Sequence, residues 1–282
     1  MPLQGYANSK PLAQPFRWFA AGCVAACLVH LDSLRPLIAK WLMFDQSMGH
    51  ALVLFLVICG WLWSGRKHFD HLARAPSRRG VGMIGLATLA WFLAALGDIE
   101  LLEQLALIAM FYSLAVLVAG WRSAVSIAPQ LALLLFCVPI WDELNDQLVD
   151  LSALMVGGFF SFTPITSHVA GNAITLPAGT VVIADGCSGL RYLIVGLAMA
   201  NLASSMNRLR FRHQVIANLL ALALMLAVNW VRIIVIVFVA YYTDMQGHLV
   251  RHHENFGWMV FGVALLPLLF YARHAPHRPE GE

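Results

Sequence analysis

Long uninterrupted apolar runs dominate this chain, and they leave few folds open to it. Eight can be read, at about 15–31, 48–64, 80–97, 100–120, 124–140, 188–205, 214–241 and 256–272. Crossing a bilayer as a helix takes about 20 apolar residues, with a range of about 17–25. Open sheets cannot satisfy their backbone in lipid, and a barrel would alternate over stretches of about ten residues. The composition agrees. Of 282 residues, 60% are hydrophobic and 12% charged, against roughly 25% charged in a soluble domain. Both facts argue against a soluble enzyme, a disordered chain and a fibrous protein. The expected fold class is all-α: a polytopic membrane helix bundle of about eight transmembrane helices, forming one integral membrane domain over 1–282.

Between the fifth and sixth runs the pattern changes. Residues 148–162 are apolar but short, and 163–185 (TPITSHVAGNAITLPAGTVVIAD) are rich in Pro, Gly, Thr and Val. That composition favours extended, turn-containing chain. Residues 146–162 are read as an interfacial or re-entrant helix, and 163–185 as an extended outer loop before the sixth span. The N-terminus is polar to about residue 14 with no small-residue cleavage site, so no cleavable signal peptide is expected.

Charge placement sets an orientation. With the N-terminus in the cytoplasm, thirteen of the 18 Lys and Arg fall on the cytoplasmic side, including Arg66, Lys67, Arg78, Arg79 and the Arg208–Arg212 cluster. Only Arg35, Lys40 and Arg251 fall outside, while Arg191 and Arg232 lie within spans. This obeys the positive-inside rule and puts both termini in the cytoplasm. The net charge of +3 is too weak to suggest nucleic acid.

Charges inside a span are costly and point to function. Arg232 lies near the outer end of the seventh run. Its plain structural alternative is an arginine reaching to the interface. Four of the five cysteines sit inside apolar runs as small hydrophobes. Cys187 instead opens the sixth run, in Asp185-Gly186-Cys187-Ser188-Gly189-Leu190-Arg191. A helix N-terminus there would favour the thiolate and offer free N–H groups. Arg191, four residues on, would share its face. An unreactive turn cysteine is the plain alternative.

His252 and His253 open the eighth run, also at the outer end, and a histidine near neutral pH can take and return a proton. His252-His253-Glu254 lacks the HExxH spacing, and no further His/Cys set accompanies it, so no metal and no cofactor are expected. Cys187, Arg232 and His253 thus come from three spans and reach one membrane face. A nucleophile, a fixed cation and a proton acceptor are the components of acyl transfer.

At these residues the sequence resembles the exosortase/archaeosortase family of membrane transpeptidases. The matching blocks are Cys187-Ser188-Gly189-Leu190-Arg191-Tyr192, Asn229-Trp230-Val231-Arg232-Ile233, and His253-x-x-x-Gly257-Trp258 followed by Phe261-Gly262. The likeness covers roughly 120–272, so 121–272 is taken as the catalytic core, 1–120 as N-terminal helices and 273–282 as a cytoplasmic tail. Asp185-Gly186 stands where the family more often has Glu-Ala, a shorter acid on a looser turn. The Gly-Trp spacing favours His253 over His252.

The resemblance implies a cysteine endopeptidase or transpeptidase of the bacterial cytoplasmic membrane, working at its outer face. Its partners would be the lipid bilayer and exported proteins whose C-terminus carries a short Pro-Glu-Pro-like motif, a hydrophobic helix and a basic tail. Such systems accompany exopolysaccharide production. Cys187, Arg232 and His253 would be catalytic. Arg191, Asn229 and Asp185 would bind substrate, with Arg191 also open as the oxyanion donor and Asn229 also open as a helix-packing residue. A serine beside a helix start, such as Ser188, is more often a cap than a nucleophile. The alternatives of another class are a transporter, with the arginines lining an anion path, and a non-catalytic scaffold of an export system. Absence of an internal repeat weighs against the transporter.

Overall fold

The structure, a computed structural model, describes residues 14–43, 47–251 and 253–276, with the side chains of residues 185 and 253–255 outside that description. It is a helical membrane bundle that separates into two compact units, Met1–Ile140 and Trp141–Glu282.

The first unit contains α1 (Pro15–Val29), α2 (Leu31–Leu42), α3 (Ala51–Ser64), α4 (Arg66–Leu72), α5 (Arg78–Leu96) and α6 (Glu100–Ala132). Its centre is the α5–α6 hairpin. A Cβ on Gly80 would lie 2.4 Å from the Leu117 Cα, so only glycine lets the two backbones meet there. Gly120, at φ 81°, breaks α6 internally, at the point where the sequence separates the runs 100–120 and 124–140. α1 and α2 meet at 91°. The segment carrying Arg35 and Lys40 is therefore helical. Ser33, Leu37 and Trp41 form one buried stripe of α2, while Asp32 and Arg35 pair at the surface. The Trp41 indole donates to the Cys137 carbonyl (2.8 Å), and the Asp70 carboxylate accepts the Phe16 N–H (2.7 Å) at the open start of α1.

The second unit begins with α7 (Asn145–Phe160), followed by β1 (His168–Ala170), β2 (Ala173–Leu176) and β3 (Gly179–Val182). These strands form an antiparallel sheet in the order β1-β2-β3. The sheet occupies the segment expected to be extended, and α7 the segment expected to be a short helix. Exposed apolar side chains such as Leu154 and Phe162 on and just beyond α7 suit an element lying in the membrane interface. β2 alternates as a half-buried strand should: Ile174 and Leu176 point inward and Thr175 outward. They pack with Val149, Ala153 and Val156 of α7 and with Ile233 and Val237 of the long helix α9.

Then come α8 (Leu190–Met206), α9 (Phe211–Tyr242), α10 (His248–Arg251) and α11 (His253–His274). α8 and α9 approach closely because small residues line their contact. Ala200, Ala217 and Ala221 are fully buried with Leu268 of α11, and a Cβ on Gly196 would fall 2.4 Å from Met225. Close approach through small residues is the usual way helices associate in lipid. The outer face of α11 carries Met259, Val263, Leu266 and Phe270, all exposed, at helical spacing.

Among the described residues, four helices are long and apolar enough to cross a membrane, or five if the bent α1–α2 pair is one span. The runs at 48–64 and 188–205 form the shorter helices α3 and α8. At 17 residues α8 is about 26 Å long, a little under a hydrocarbon core of about 30 Å. The count of eight rests on hydropathy runs, and two of those runs lie along the single broken rod of α6.

Candidate active site

Cys187 does not open a helix. It closes a single 3-10 turn, Asp185–Cys187, whose Cys187 N–H donates to the Ala184 carbonyl (2.7 Å). α8 begins three residues later, after Gly189, which sits in the left-handed region at φ 90°. A side chain at position 189 would also meet Asn229, since its Cβ would lie 2.8 Å from the Asn229 Cγ. The left-handed residue ends the continuity between Cys187 and Arg191, so the expected shared helical face does not form. Ser188 is not the N-cap expected of it, a place taken by Gly189, but its buried hydroxyl accepts the Leu190 N–H (3.2 Å).

Two helices grip this turn. Asn229 of α9 is fully buried, and its Nδ2 donates to the Cys187 carbonyl (2.9 Å) and to the Ser152 hydroxyl of α7 (3.4 Å). Ser152 in turn donates to the Ser188 carbonyl (3.4 Å). Asn229 thus serves as an interhelical hydrogen-bonding residue at the turn itself, and its Oδ1 has no partner among the described residues. The Cys187 side chain is half-buried against the α7–sheet–α9 cluster.

Arg232, one turn beyond Asn229, is only 3% exposed. It therefore points into the unit and does not reach out to the interface. Its Nη1 donates to the Gly186 carbonyl (3.3 Å), next to Cys187. The guanidinium carbon stands 5.6 Å from the Tyr192 ring centre. Nε has no hydrogen-bond partner, and no carboxylate pairs with Arg232, among the described residues. A buried cation with unfilled donors and no counter-charge is costly unless an anion arrives. Arg232 lies about 32 Å along α9 from Phe211, roughly one hydrocarbon thickness from the end bearing Arg208, Arg210 and Arg212.

The third block meets the other two through Gly257. A Cβ there would lie 2.1 Å from the Tyr192 hydroxyl and 2.9 Å from the Arg232 Nε, so glycine alone lets α11 approach this pair. Phe261 stacks on Tyr192 with ring centres 5.2 Å apart. Arg191 lies 6.0 Å from the Trp258 ring centre. Asn229 and Arg232 of α9 are thus brought to the Cys187 turn, while Arg191 of α8 is placed near Trp258 of α11. The backbone of His253 lies in α11 one turn before Gly257. The side chains of His253 and Asp185, and all of His252, lie outside the described residues.

Sequence reading missed Ser152 and gave no separate role to Tyr192 or Gly257. Ser152 carried a signal: it is a lone hydroxyl among apolar residues on the buried side of α7.

In this multi-pass membrane protein a half-buried cysteine turn is held from two helices, beside a buried guanidinium that pairs with no carboxylate among the described residues. Residues 41–270 match the transmembrane exosortase family, and the chain belongs to that family. No curated protein and no solved structure matches the chain at a significant level.

Proposed function

We propose that this protein is a cysteine endopeptidase or transpeptidase of the cytoplasmic membrane. Its substrates would be exported proteins ending in a short extended motif, a hydrophobic helix and a basic tail. The observation that carries the reading is Arg232: a buried guanidinium with open donors, bonded to the residue before Cys187. An oxyanion formed by attack at Cys187 would give this guanidinium a negative partner.

The Cys187 sulfur attacks the scissile carbonyl carbon, and His253 takes the thiol proton. Arg232 donates to the oxygen as it gains charge. Collapse of the tetrahedral intermediate breaks the C–N bond, His253 protonates the leaving amine, and an acyl thioester remains on Cys187. Water or an acceptor nucleophile then releases the acyl group and restores the thiol. The substrate's hydrophobic helix would lie in the bilayer against the enzyme. The charge rule would keep its basic tail in the cytoplasm and its motif at the outer face.

The test is co-expression of wild type or Cys187→Ala with a secreted reporter bearing such a C-terminus. Processing should be complete with the wild type and absent with the variant, at equal levels of folded enzyme. Full processing by Cys187→Ala would sink the mechanism.

A further inference from the structure

We propose that Ser152 is a positioning residue that sets the nucleophile turn for acyl transfer, a role that rests on the reading of Cys187 as the acyl acceptor. Ser152 lies on α7, in the element read as interfacial, and is 1% exposed. Its hydroxyl bridges Asn229 Nδ2 and the Ser188 carbonyl, each at 3.4 Å. Asn229 also holds the Cys187 carbonyl at 2.9 Å. The two carbonyls that follow the thiol are thus each fixed by a side chain from a different helix.

The peptides here are trans. In a trans peptide the N–H points opposite to the carbonyl, so holding the Ser188 carbonyl aims the Gly189 N–H toward the other face of the turn. That N–H donates to no carbonyl among the described residues. Gly189 is also the one residue of the turn in the left-handed region, which leaves its peptide planes dependent on outside anchors. On the same turn the Gly186 carbonyl holds Arg232. In this proposal the Gly189 N–H and Arg232 are the two donors to the oxygen of an attacked carbonyl. Backbone N–H groups close after a nucleophile serve this purpose in other strained turns. Without the Ser152 hydroxyl, the buried Ser188 carbonyl loses this donor and Asn229 loses one of its two acceptors. The planes can then rotate while the thiol stays in place.

Acylation and alkylation separate these effects. 4-Nitrophenyl acetate acylates a thiol through a tetrahedral oxyanion, releasing 4-nitrophenolate, whereas iodoacetamide alkylates by displacing iodide and forms no oxyanion. The full chain in lipid nanodiscs is treated with each reagent, and modification is followed at the Cys187 peptide by mass spectrometry. Because loss of a whole oxyanion donor costs about 100-fold or more, a misaimed donor in Ser152→Ala should slow acylation about tenfold. Alkylation should stay within about twofold, with an unchanged thermal midpoint. If both rates fall together, or neither falls, the positioning role is overturned. Wild-type Cys187 acylating no faster than the exposed Cys59 would overturn it at its base, by removing Cys187 as acyl acceptor. Should alanine lower the thermal midpoint, the near-isosteric Ser152→Cys, whose S–H is a weak donor, takes its place: slowed acylation with unchanged alkylation supports the role, and any other pattern overturns it.

Discussion

Replacing Arg232 with methionine should separate stability from activity. Methionine keeps a long flexible stem of similar volume and removes the charge. Folding loses one charged hydrogen bond to Gly186, about 1.5–3 kcal/mol at best geometry and less at 3.3 Å. It also loses a cation–π contact at 5.6 Å to Tyr192, about 0.5–2 kcal/mol. Against this stands the desolvation of a guanidinium that is 3% exposed and has no carboxylate partner among the described residues, several kcal/mol for a buried ion. Gly186 is itself exposed, so water can take over its carbonyl. The balance is near zero or on the side of stabilisation, by roughly 0–2 kcal/mol. Processing should nevertheless fall by about 100- to 1,000-fold, the cost of one oxyanion donor. Thermal unfolding in nanodiscs and reporter cleavage read the two quantities. A midpoint well below wild type would mean that Arg232 has a counter-charge and is structural. Cleavage within about tenfold of wild type would mean that it does not meet the developing charge.

Gly257→Ala places a methyl where the Tyr192 hydroxyl and Arg232 Nε now stand, and cleavage should drop at least about tenfold as both are displaced; adding Tyr192→Phe, which removes the closest atom, should restore part of it. Gly189→Ala combines a left-handed φ with a 2.8 Å contact to Asn229. It should cost about 3 kcal/mol in unfolding free energy, measured by chemical denaturation, and a loss under about 1 kcal/mol would contradict the turn described. In the first unit, Gly80→Ala drives a Cβ to 2.4 Å from the Leu117 backbone. It should lower the thermal midpoint through about 1–3 kcal/mol of overpacking, and an unchanged midpoint would show that α5 and α6 do not meet there.

Much of the fold could be read before any coordinates, because the bilayer is an exacting solvent. Apolar runs, the short helix before the sixth run and the extended 163–185 segment follow from local composition, and each has its counterpart in α1–α11 and the small sheet. Span number was less legible. A hydropathy run does not record that α1 and α2 meet at 91°, or that α6 carries on past Gly120 as a broken rod. The amphipathic α2 is marked by the spacing of Ser33, Leu37 and Trp41, a stripe too polar to register as a long apolar run.

The sequence by itself determined which residue types could do chemistry here. A cysteine in a glycine-rich turn and arginines within apolar runs are exceptions to composition, and exceptions show without a fold. Tertiary structure alone decided how they meet. It took Cys187 out of α8 through the left-handed Gly189, buried Arg232 without a carboxylate partner among the described residues, and brought Ser152 from far upstream to the Ser188 carbonyl. Local propensity acts over a few residues, whereas burial and hydrogen bonding between helices depend on contacts that the linear order of residues does not encode locally.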